Sequence, residues 1–266
     1  MKKIGFIGAG NMGYPLLQGA IKLYGIENVT FRCSTEKSNT RICESTKVEC
    51  ADSIADLVKN SQCVVLAVKP QFFGDVLPVV KENTFEGQII ISLAPGATID
   101  YLTESTGGKA KVVRTMPNTP AQVGEGMTAV CYGDGSFIKE EKDLVNGLFN
   151  AVGKTVELPE RLMDASIVAS GSSPAFMYMF MEALADGAVK FGIPRAQAYE
   201  MVAQTMIGAG KMLLETGEHP GKLKDNVCSP GGTTIAGVAA LEEAGFRNAV
   251  IKACDACYEK AMSMKK

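Results

Sequence analysis

Lys3-Ile4-Gly5-Phe6-Ile7-Gly8-Ala9-Gly10-Asn11-Met12-Gly13 is the stretch that decides the fold of the first half of the chain. Its first five residues have the composition of a short, buried strand. A G-x-G-x-x-G pattern follows directly. The next segment has the apolar spacing of one helix face, at Leu16, Leu17, Ala20, Ile21 and Leu23. Strand, glycine turn and helix in this order predict a dinucleotide-binding βαβ unit.

Each glycine of the pattern has its own expected task. Gly8 makes the tight turn, Gly10 leaves room for a pyrophosphate, and Gly13 lets the helix pack closely against the strand. A glycine-rich turn in some other α/β fold is the alternative that the pattern leaves open. The loop expected to hold the pyrophosphate of NAD(P) comprises Gly8, Ala9, Gly10, Asn11, Met12 and Gly13.

Beyond this loop the chain alternates between strand and helix signals as far as Leu158. Apolar runs predict strands at Val29–Arg32, Cys63–Val68, Ile89–Leu93, Lys111–Arg114, Met127–Cys131 and Thr155–Leu158. Helices are predicted at Ser53–Lys59, Val76–Lys81 and Ile99–Ser105. This alternation predicts an α/β fold with a mostly parallel, Rossmann-type doubly wound sheet. The direction of the last strands stays open.

The second half of the chain has no strand signals. Pro159 is the predicted hinge between a dinucleotide-binding domain at residues 1–158 and an all-helical domain at residues 159–266. Ser172 or Ser173 is the predicted N-cap of a helix with Pro174 in its first turn. That helix is apolar nearly all round, which predicts a subunit interface and hence a dimerisation domain. A helix buried within one protomer is the alternative.

Ser229-Pro230-Gly231-Gly232-Thr233-Thr234 is the second informative stretch, and it precedes another predicted helix. Pro230 fixes its own φ, and the two glycines let a bound group approach the backbone. The free N–H groups and the positive end of the helix dipole suit a carboxylate or a phosphate. The alternative is an ordinary helix start with Thr233 or Thr234 as its N-cap.

Composition narrows the possible functions. The chain has 27 basic and 29 acidic residues, a net charge of −2 and no long basic run, which argues against a nucleic-acid partner. Its apolar stretches are too short to span a membrane, and the first residues do not look like a signal peptide. Eight scattered cysteines predict free thiols in the cytoplasm, and a single histidine, His219, predicts no metal site. The role of the Cys254–Cys257 C-x-x-C pair stays open.

The chain resembles the pyrroline-5-carboxylate reductase family nearly from end to end. The segments that carry the resemblance are Phe6–Met12, Leu66–Pro70, Met116–Pro120, Ser170–Ala175, Glu182–Gly187 and Leu223–Thr234. The last of them is the most specific. The resemblance implies reduction of 1-pyrroline-5-carboxylate to L-proline, the last step of proline biosynthesis, with NADPH as cofactor and NADH possible. It also implies a homodimer or a larger ring, with an active site completed by helices of both subunits.

The same resemblance implies roles for individual residues. Cofactor-binding residues beside the glycine loop would be Ser53, Val68, Lys69, Pro70, Ala94 and Asn118. Residues that hold the substrate carboxylate would be Ser229, Gly231, Gly232, Thr233 and Thr234. Thr234 would be the catalytic residue, placed near the ring nitrogen. Family members often carry an asparagine where this chain has Ile54, and Ser53 or Asp52 is expected to replace it.

The end of the second predicted strand indicates which cofactor the chain prefers. An NAD enzyme usually has an Asp or Glu there that binds the ribose hydroxyls. This chain has Arg32 and Ser34 instead, with Lys37 beyond them. Arg32 and Ser34 are expected to bind the 2′-phosphate of NADPH, with no acid to repel it. A solvated face formed by Arg32 and Lys37 is the alternative.

Reduction of a cyclic imine fits the residues that the chain offers. A protonated imine is already electrophilic, so positioning and carboxylate capture would carry most of the rate without a strong acid. Two other functions stay open. A dehydrogenase acting on a 3-hydroxy acid or a sugar phosphate commonly uses a lysine early in the second domain, but Ser170–Ala185 has none and Lys190 comes late. A non-enzymatic NADP-binding sensor would have no need for Ser229–Thr234.

Overall fold

The computed structural model describes residues 2–134 and 137–264. The strands of these residues are β1 (Lys2–Ile7), β2 (Val29–Arg32), β3 (Ser61–Leu66), β4 (Ile89–Ser92), β5 (Lys111–Met116), β6 (Gly126–Tyr132) and β7 (Gly153–Glu157). The helices are α1 (Gly13–Tyr24), α2 (Glu36–Thr46), α3 (Ile54–Lys59), α4 (Phe73–Asn83), α5 (Ile99–Ser105), α6 (Lys139–Asn150), α7 (Met163–Ser166), α8 (Ser173–Lys190), α9 (Arg195–Thr216), α10 (Pro220–Val227), α11 (Thr233–Glu243) and α12 (Phe246–Ser263).

All seven strands form one sheet in the order β2-β1-β3-β4-β5-β6-β7. Strands β1 to β5 are parallel, with Ile4 paired to Val29 of β2 on one side and to Cys63 of β3 on the other. The predicted Rossmann-type doubly wound sheet is therefore confirmed. The direction that the sequence left open is also resolved, because β6 runs antiparallel to β5 and β7 runs parallel to β6.

Both faces of the sheet are covered by helices, as the apolar composition of β3 predicts. Cys63 and Val65 face a cluster that includes side chains of α1, α2 and α6. Val64 and Leu66 face a second cluster, built with α3, α4 and α5. Successive residues of one strand thus belong to different cores. This double layer fixes the carboxyl ends of the parallel strands, where ligands of such sheets bind.

Arg114 of β5 is the largest side chain that is completely buried. Its guanidinium pairs with Asp164 of α7 and with Glu160 Oε1, the latter at 3.3 Å. Glu160 Oε1 also accepts a hydrogen bond of 2.7 Å from the backbone N–H of Ile99, at the start of α5. A charge buried this deeply requires partners. The ion cluster therefore ties β5 and α5 to the segment that leaves the sheet.

A π-helical turn, Ile167–Gly171, connects α7 to α8. The predicted N-cap at Ser172 or Ser173 is wrong. Ser172 has a right-handed helical backbone instead of the extended backbone of an N-cap. Ser173 Oγ donates a 2.8 Å hydrogen bond to the carbonyl of Ala169, one turn earlier. The hydroxyl therefore bonds back into the helical segment instead of capping a new helix. The helical path from α7 into α8 runs through the π turn.

Two compact units make up the chain. The first comprises Met1–Pro174 and Cys257–Lys266, and the second comprises Ala175–Ala256. The second unit is helical and contains most of α8 and α12 together with α9, α10 and α11. The domain boundary that the sequence indicates near Pro159 stays a prediction.

The second unit buries very little of its apolar surface. Of its described residues, Ala185 and Ala198 are the buried hydrophobic ones. By contrast, Phe191 is 84% exposed, Leu214 70% and Met179 69%. The alternative of a helix buried within one protomer is therefore wrong for α8. An apolar surface this large is typical of a protein–protein interface.

The cysteines are all free of disulfide bonds. Burial raises the pKa of the Cys63 thiol well above its ordinary range and that of Cys131 to about 11. These two thiols stay protonated near neutral pH and are poor nucleophiles. Within residues 2–134 and 137–264, no three His, Cys, Asp or Glu side chains cluster to hold a metal ion. No helix of the same residues is long and apolar enough to cross a membrane.

Candidate active site

The glycine loop between β1 and α1 has the geometry that each of its glycines requires. Gly8 has a φ of 90°, and a Cβ on it would lie 2.8 Å from the carbonyl oxygen of Ala67. A Cβ on Gly13 would lie 2.8 Å from the Cβ of Ala67, so the first turn of α1 packs against the end of β3. A Cβ on Gly10 would meet open space. The loop is thus tight on the protein side and open on the other, which fits a bound pyrophosphate.

The start of α1 faces a cavity of about 300 Å³ whose lining includes Gly10, Asn11, Arg41 and Gln122. Met12 is the N-cap of α1 and makes no side-chain capping bond, so the positive end of the helix is left for a ligand. Gln122 Nε2 donates a 3.4 Å hydrogen bond to the carbonyl of Asn11, which steadies the loop. These residues fit the phosphates of a dinucleotide.

A second cavity, of about 380 Å³, adjoins the ends of β4 and β5. In Rossmann-type sheets the ribose of the adenosine is bound near the end of the second strand, so a bound nicotinamide would lie on the β4 and β5 side. We call this space the nicotinamide-side cavity. Its wall includes Met12, Pro95, Gly96, Met116, Pro117, Asn118, Thr119, Ile167, Gly171, Ser172, Cys257, Lys260, Ala261 and Met264.

Asn118 lies in the wall of this cavity, but its side-chain amide bonds to the protein. Its Nδ2 donates a 3.0 Å hydrogen bond to the carbonyl of Ser170 in the π turn. Its Oδ1 accepts one of 2.9 Å from the backbone N–H of Met127, next to the start of β6. Asn118 therefore shapes the wall by joining three segments. Ala94, which the sequence also places here, is buried just beyond β4.

Arg32, at the end of β2, has a partner that the sequence analysis missed. Its Nη2 lies 2.6 Å from Glu36 Oε1, and its Nη1 donates a 3.3 Å hydrogen bond to the carbonyl of Ala51. The hydrogen bond to Cys50 Sγ, followed by the charge of Glu36, raises the pKa of Arg32 above its ordinary value. The expectation that no acid is present is wrong, because Glu36, the first residue of α2, follows Arg32 by four residues and pairs with it. Ser34 beside it is exposed.

The remaining cofactor residues predicted from the resemblance follow β2 and β3. Ser53 is the N-cap of α3: its Oγ accepts a 3.1 Å hydrogen bond from the backbone N–H of Asp56 and donates to that carboxylate at 2.6 Å. Val68, Lys69 and Pro70 come directly after β3, and Lys69 is exposed. Ser53 therefore has a capping task that competes with any contact to the cofactor.

The predicted substrate residues lie together at the start of α11. Gly232 is the N-cap, with a φ of −80°, and as a glycine it supplies no capping side chain. The alternative with Thr233 or Thr234 as N-cap is therefore wrong. Gly231 has a φ of 70°, and a Cβ on Gly232 would collide with Ser229 Oγ. Ser229, Gly231, Thr233 and Thr234 are exposed, which leaves the first turn of α11 accessible to an anion.

Comparison with known proteins decides the family. Residues 160–264 match the family described as pyrroline-5-carboxylate reductase dimerisation, and residues 3–96 match the one described as NADP oxidoreductase coenzyme F420-dependent. The pyrroline-5-carboxylate reductase of Escherichia coli is 41% identical over 268 residues, which cover 100% of this chain and 99% of that protein. The chain belongs to the pyrroline-5-carboxylate reductase family.

Solved structures of pyrroline-5-carboxylate reductases share the whole fold. The enzyme from Coxiella burnetii superposes with a TM-score of 0.92 at 31% identity, covering 100% of this chain and 99% of that one. The enzyme from Plasmodium falciparum, solved with NADP bound, gives a TM-score of 0.86 at 33% identity, covering 100% and 98%. The family resemblance noted in the sequence is thereby confirmed.

Sequence reasoning missed two parts of the nicotinamide-side cavity. One is the π turn, which contributes Ile167 and Gly171. The other is the end of α12, from Cys257 to Met264. The available signal for α12 was the spacing of Cys257, Lys260, Ala261 and Met264, which places all four on one helix face.

Proposed function

We propose that the chain reduces 1-pyrroline-5-carboxylate to L-proline, with NADPH as the reductant. The observation that carries this function is the start of α11, where Gly232 caps the helix without a side chain and leaves its N–H groups open to a carboxylate. A substrate with a carboxylate beside a ring C=N bond suits this site. The glycine loop of β1 and α1 supplies the dinucleotide site that the same reaction needs.

The reduced nicotinamide, when bound, supplies a hydride to the ring carbon of the C=N bond. The chain has the tasks of holding both reactants and of managing one proton. The open backbone at Gly8–Gly13 binds the pyrophosphate, while the wall made by Met116–Thr119 and the π turn excludes water from the nicotinamide. The first turn of α11 holds the carboxylate through backbone N–H groups and the hydroxyls of Ser229 and Thr233.

Thr234 is the residue that we assign to the ring nitrogen. The nitrogen of the product carries one more hydrogen than that of the imine, so a proton must be present on it or reach it during reduction. A threonine hydroxyl is a weak acid, but it can accept a hydrogen bond from a protonated nitrogen or relay a proton to it. Thr234 therefore positions the iminium, and no strongly acidic side chain is required.

NADPH is the preferred cofactor in this proposal, and NADH is a slower substitute. Arg32 and Ser34, at the end of β2, supply the contacts for the 2′-phosphate. The ion pair between Arg32 and Glu36 opposes this preference, because the phosphate has to displace or share an exposed carboxylate. An exposed pair of this kind contributes only about 0–1 kcal/mol, so a phosphate competes with it.

Self-association and location complete the proposal. A homodimer, or a larger ring of dimers, covers the apolar side chains of α8 and α9 that one protomer leaves exposed. In the proposed assembly the active site is completed by helices of both subunits. The eight free cysteines suit the reducing conditions of the cytoplasm.

An assay of NADPH oxidation tests the function against its alternatives. Turnover with 1-pyrroline-5-carboxylate and none with 3-hydroxy acids or sugar phosphates is the expected result. A dehydrogenase of the latter kind would show the opposite pattern, and Lys190, the only lysine of α8, would then be its candidate base on that helix. Tight NADPH binding without turnover on any of these compounds would favour the sensor.

A further inference from the structure

The last turns of α12 form one wall of the nicotinamide-side cavity. Cys257, Lys260, Ala261 and Met264 line it together with the loops after β4 and β5. Ala261 is 7% exposed, so this helix face packs inside the first unit, to which Cys257 and the residues after it belong. The reaction proposed above assigns no task to any of these four residues.

Lys260 supplies the one formal charge in the described lining of the cavity. The other lining side chains are apolar or small and neutral, such as Met12, Pro95, Met116 and Ile167. Within residues 2–134 and 137–264, no carboxylate forms an ion pair with Lys260. Lys260 is exposed, so its ammonium group is accessible to an anion that enters the cavity.

We propose that Lys260 is an anion-binding residue of the nicotinamide-side cavity. The inference rests on the proposed function, because both reactants carry a suitable anion. One source is the carboxylate of the substrate, and the other is the diphosphate of the cofactor, whose glycine loop contributes Met12 to the same cavity. A charge-assisted hydrogen bond from an ammonium suits either of them.

A purely structural role makes a different prediction. Lys260 lies in the last turn of α12, where a cation interacts favourably with the negative end of the helix dipole. Loss of that interaction would lower thermal stability and leave the affinity for both reactants unchanged. Affinity and melting temperature therefore distinguish the two roles.

The test compares three variants of the full-length chain. Lys260→Gln removes the charge and keeps most of the side-chain length, while Lys260→Arg keeps the charge. Lys252→Gln is the matched control, because Lys252 is exposed, lies two turns earlier on α12 and does not line the cavity. We expect Lys260→Gln to raise one dissociation or Michaelis constant by about five- to twentyfold, with kcat within about twofold. Lys260→Arg and Lys252→Gln stay within about twofold of wild type.

The measurements separate the two anion sources. A higher KM for 1-pyrroline-5-carboxylate assigns Lys260 to the carboxylate, and a higher dissociation constant of NADPH, measured by fluorescence without turnover, assigns it to the diphosphate. In either case added salt weakens wild-type binding more than binding to Lys260→Gln. Unchanged constants for both reactants overturn the proposal. A wild-type chain that fails to oxidise NADPH with this substrate refutes the proposed function, and the NADPH-binding measurement still tests Lys260.

Discussion

The first unit buries apolar side chains on both faces of a seven-stranded sheet, whereas the second unit buries hardly more than Ala185 and Ala198. The first unit therefore buries its apolar side chains through contacts within its own chain. The second unit also has apolar helices, but one protomer leaves much of their surface exposed, and this part of the chain matches a dimerisation family. The comparison teaches that the same property, apolar helix surface, stabilises the fold in one unit and drives association in the other.

The two units also differ in which predicted ligand-binding residues they contain. The glycine loop, Arg32 and the nicotinamide-side cavity belong to the first unit, and the Ser229–Thr234 turn belongs to the second. Substitutions in the first unit should thus act on the cofactor, and substitutions in the second on association and substrate. The predictions below test this division of cofactor binding from association and substrate binding.

The largest expected effect is on the association of two protomers after a substitution on α8. Met179→Glu places a carboxylate on the exposed apolar face of α8, where a dimer would bury it without a partner. An unpaired buried charge costs roughly 3–5 kcal/mol, so we expect the dimer dissociation constant to rise about a thousandfold and activity to fall with it. Sedimentation velocity measures the change. Leu23→Glu, on an exposed apolar site of the first unit, is the control. Unaltered association of Met179→Glu would remove α8 from the interface.

The second largest expected effect is on substrate binding after substitution of Gly232. Gly232→Val makes its Cβ collide with Ser229 Oγ and fills the space before α11. Lost hydrogen bonds to a charged group cost about 1.5–3 kcal/mol, so KM for 1-pyrroline-5-carboxylate should rise roughly a hundredfold. The dissociation constant of NADPH should stay within about twofold. Gly237→Ala is the control on the same helix, because its Cβ meets open space in the protomer. An equal loss of NADPH binding would contradict the division between the units.

Thr234→Ala should have an intermediate effect. One lost hydrogen bond to the ring nitrogen costs about 1–3 kcal/mol, which lowers kcat/KM about ten- to hundredfold. Thr234→Ser should restore most of the activity, since it keeps the hydroxyl. Steady-state kinetics at saturating NADPH gives both numbers. Complete inactivity with normal NADPH binding would make Thr234 an essential proton donor, and full activity would leave the nitrogen to another group.

The smallest expected effect is on the preference for NADPH over NADH after substitution of Arg32 or Glu36. Arg32→Gln should raise KM for NADPH about tenfold and leave KM for NADH within about twofold, because only NADPH carries the 2′-phosphate. Glu36→Gln releases Arg32 from an exposed ion pair and should lower KM for NADPH by about twofold. Initial rates with both cofactors measure these effects. Equal losses with NADPH and NADH would show that Arg32 instead holds the end of β2 in place.

The local spacing of residues in the sequence predicted the structure of the first unit better than that of the second. Strands with continuous apolar runs, such as Ile89–Ser92, and the Gly8–Gly13 loop follow from residue spacing because their contacts are near in sequence or repeat regularly. Glu36 was missed because its importance depends on one side-chain contact with Arg32. The π turn and the Lys260 wall were missed because they depend on packing between segments far apart in the chain. No spacing rule contains that information.

The second unit is an insertion between two parts of the first, since Pro174 and Cys257 both belong to the same compact body. During synthesis the glycine loop and the strands leave the ribosome early, and the cavity wall formed by Cys257–Met264 leaves only after the whole inserted segment. A chain that stops before Cys257 has the residues of β1 to β7 but lacks this wall. The order of synthesis thus makes completion of the nicotinamide-side cavity a late step, which follows the production of the whole inserted unit, Ala175–Ala256.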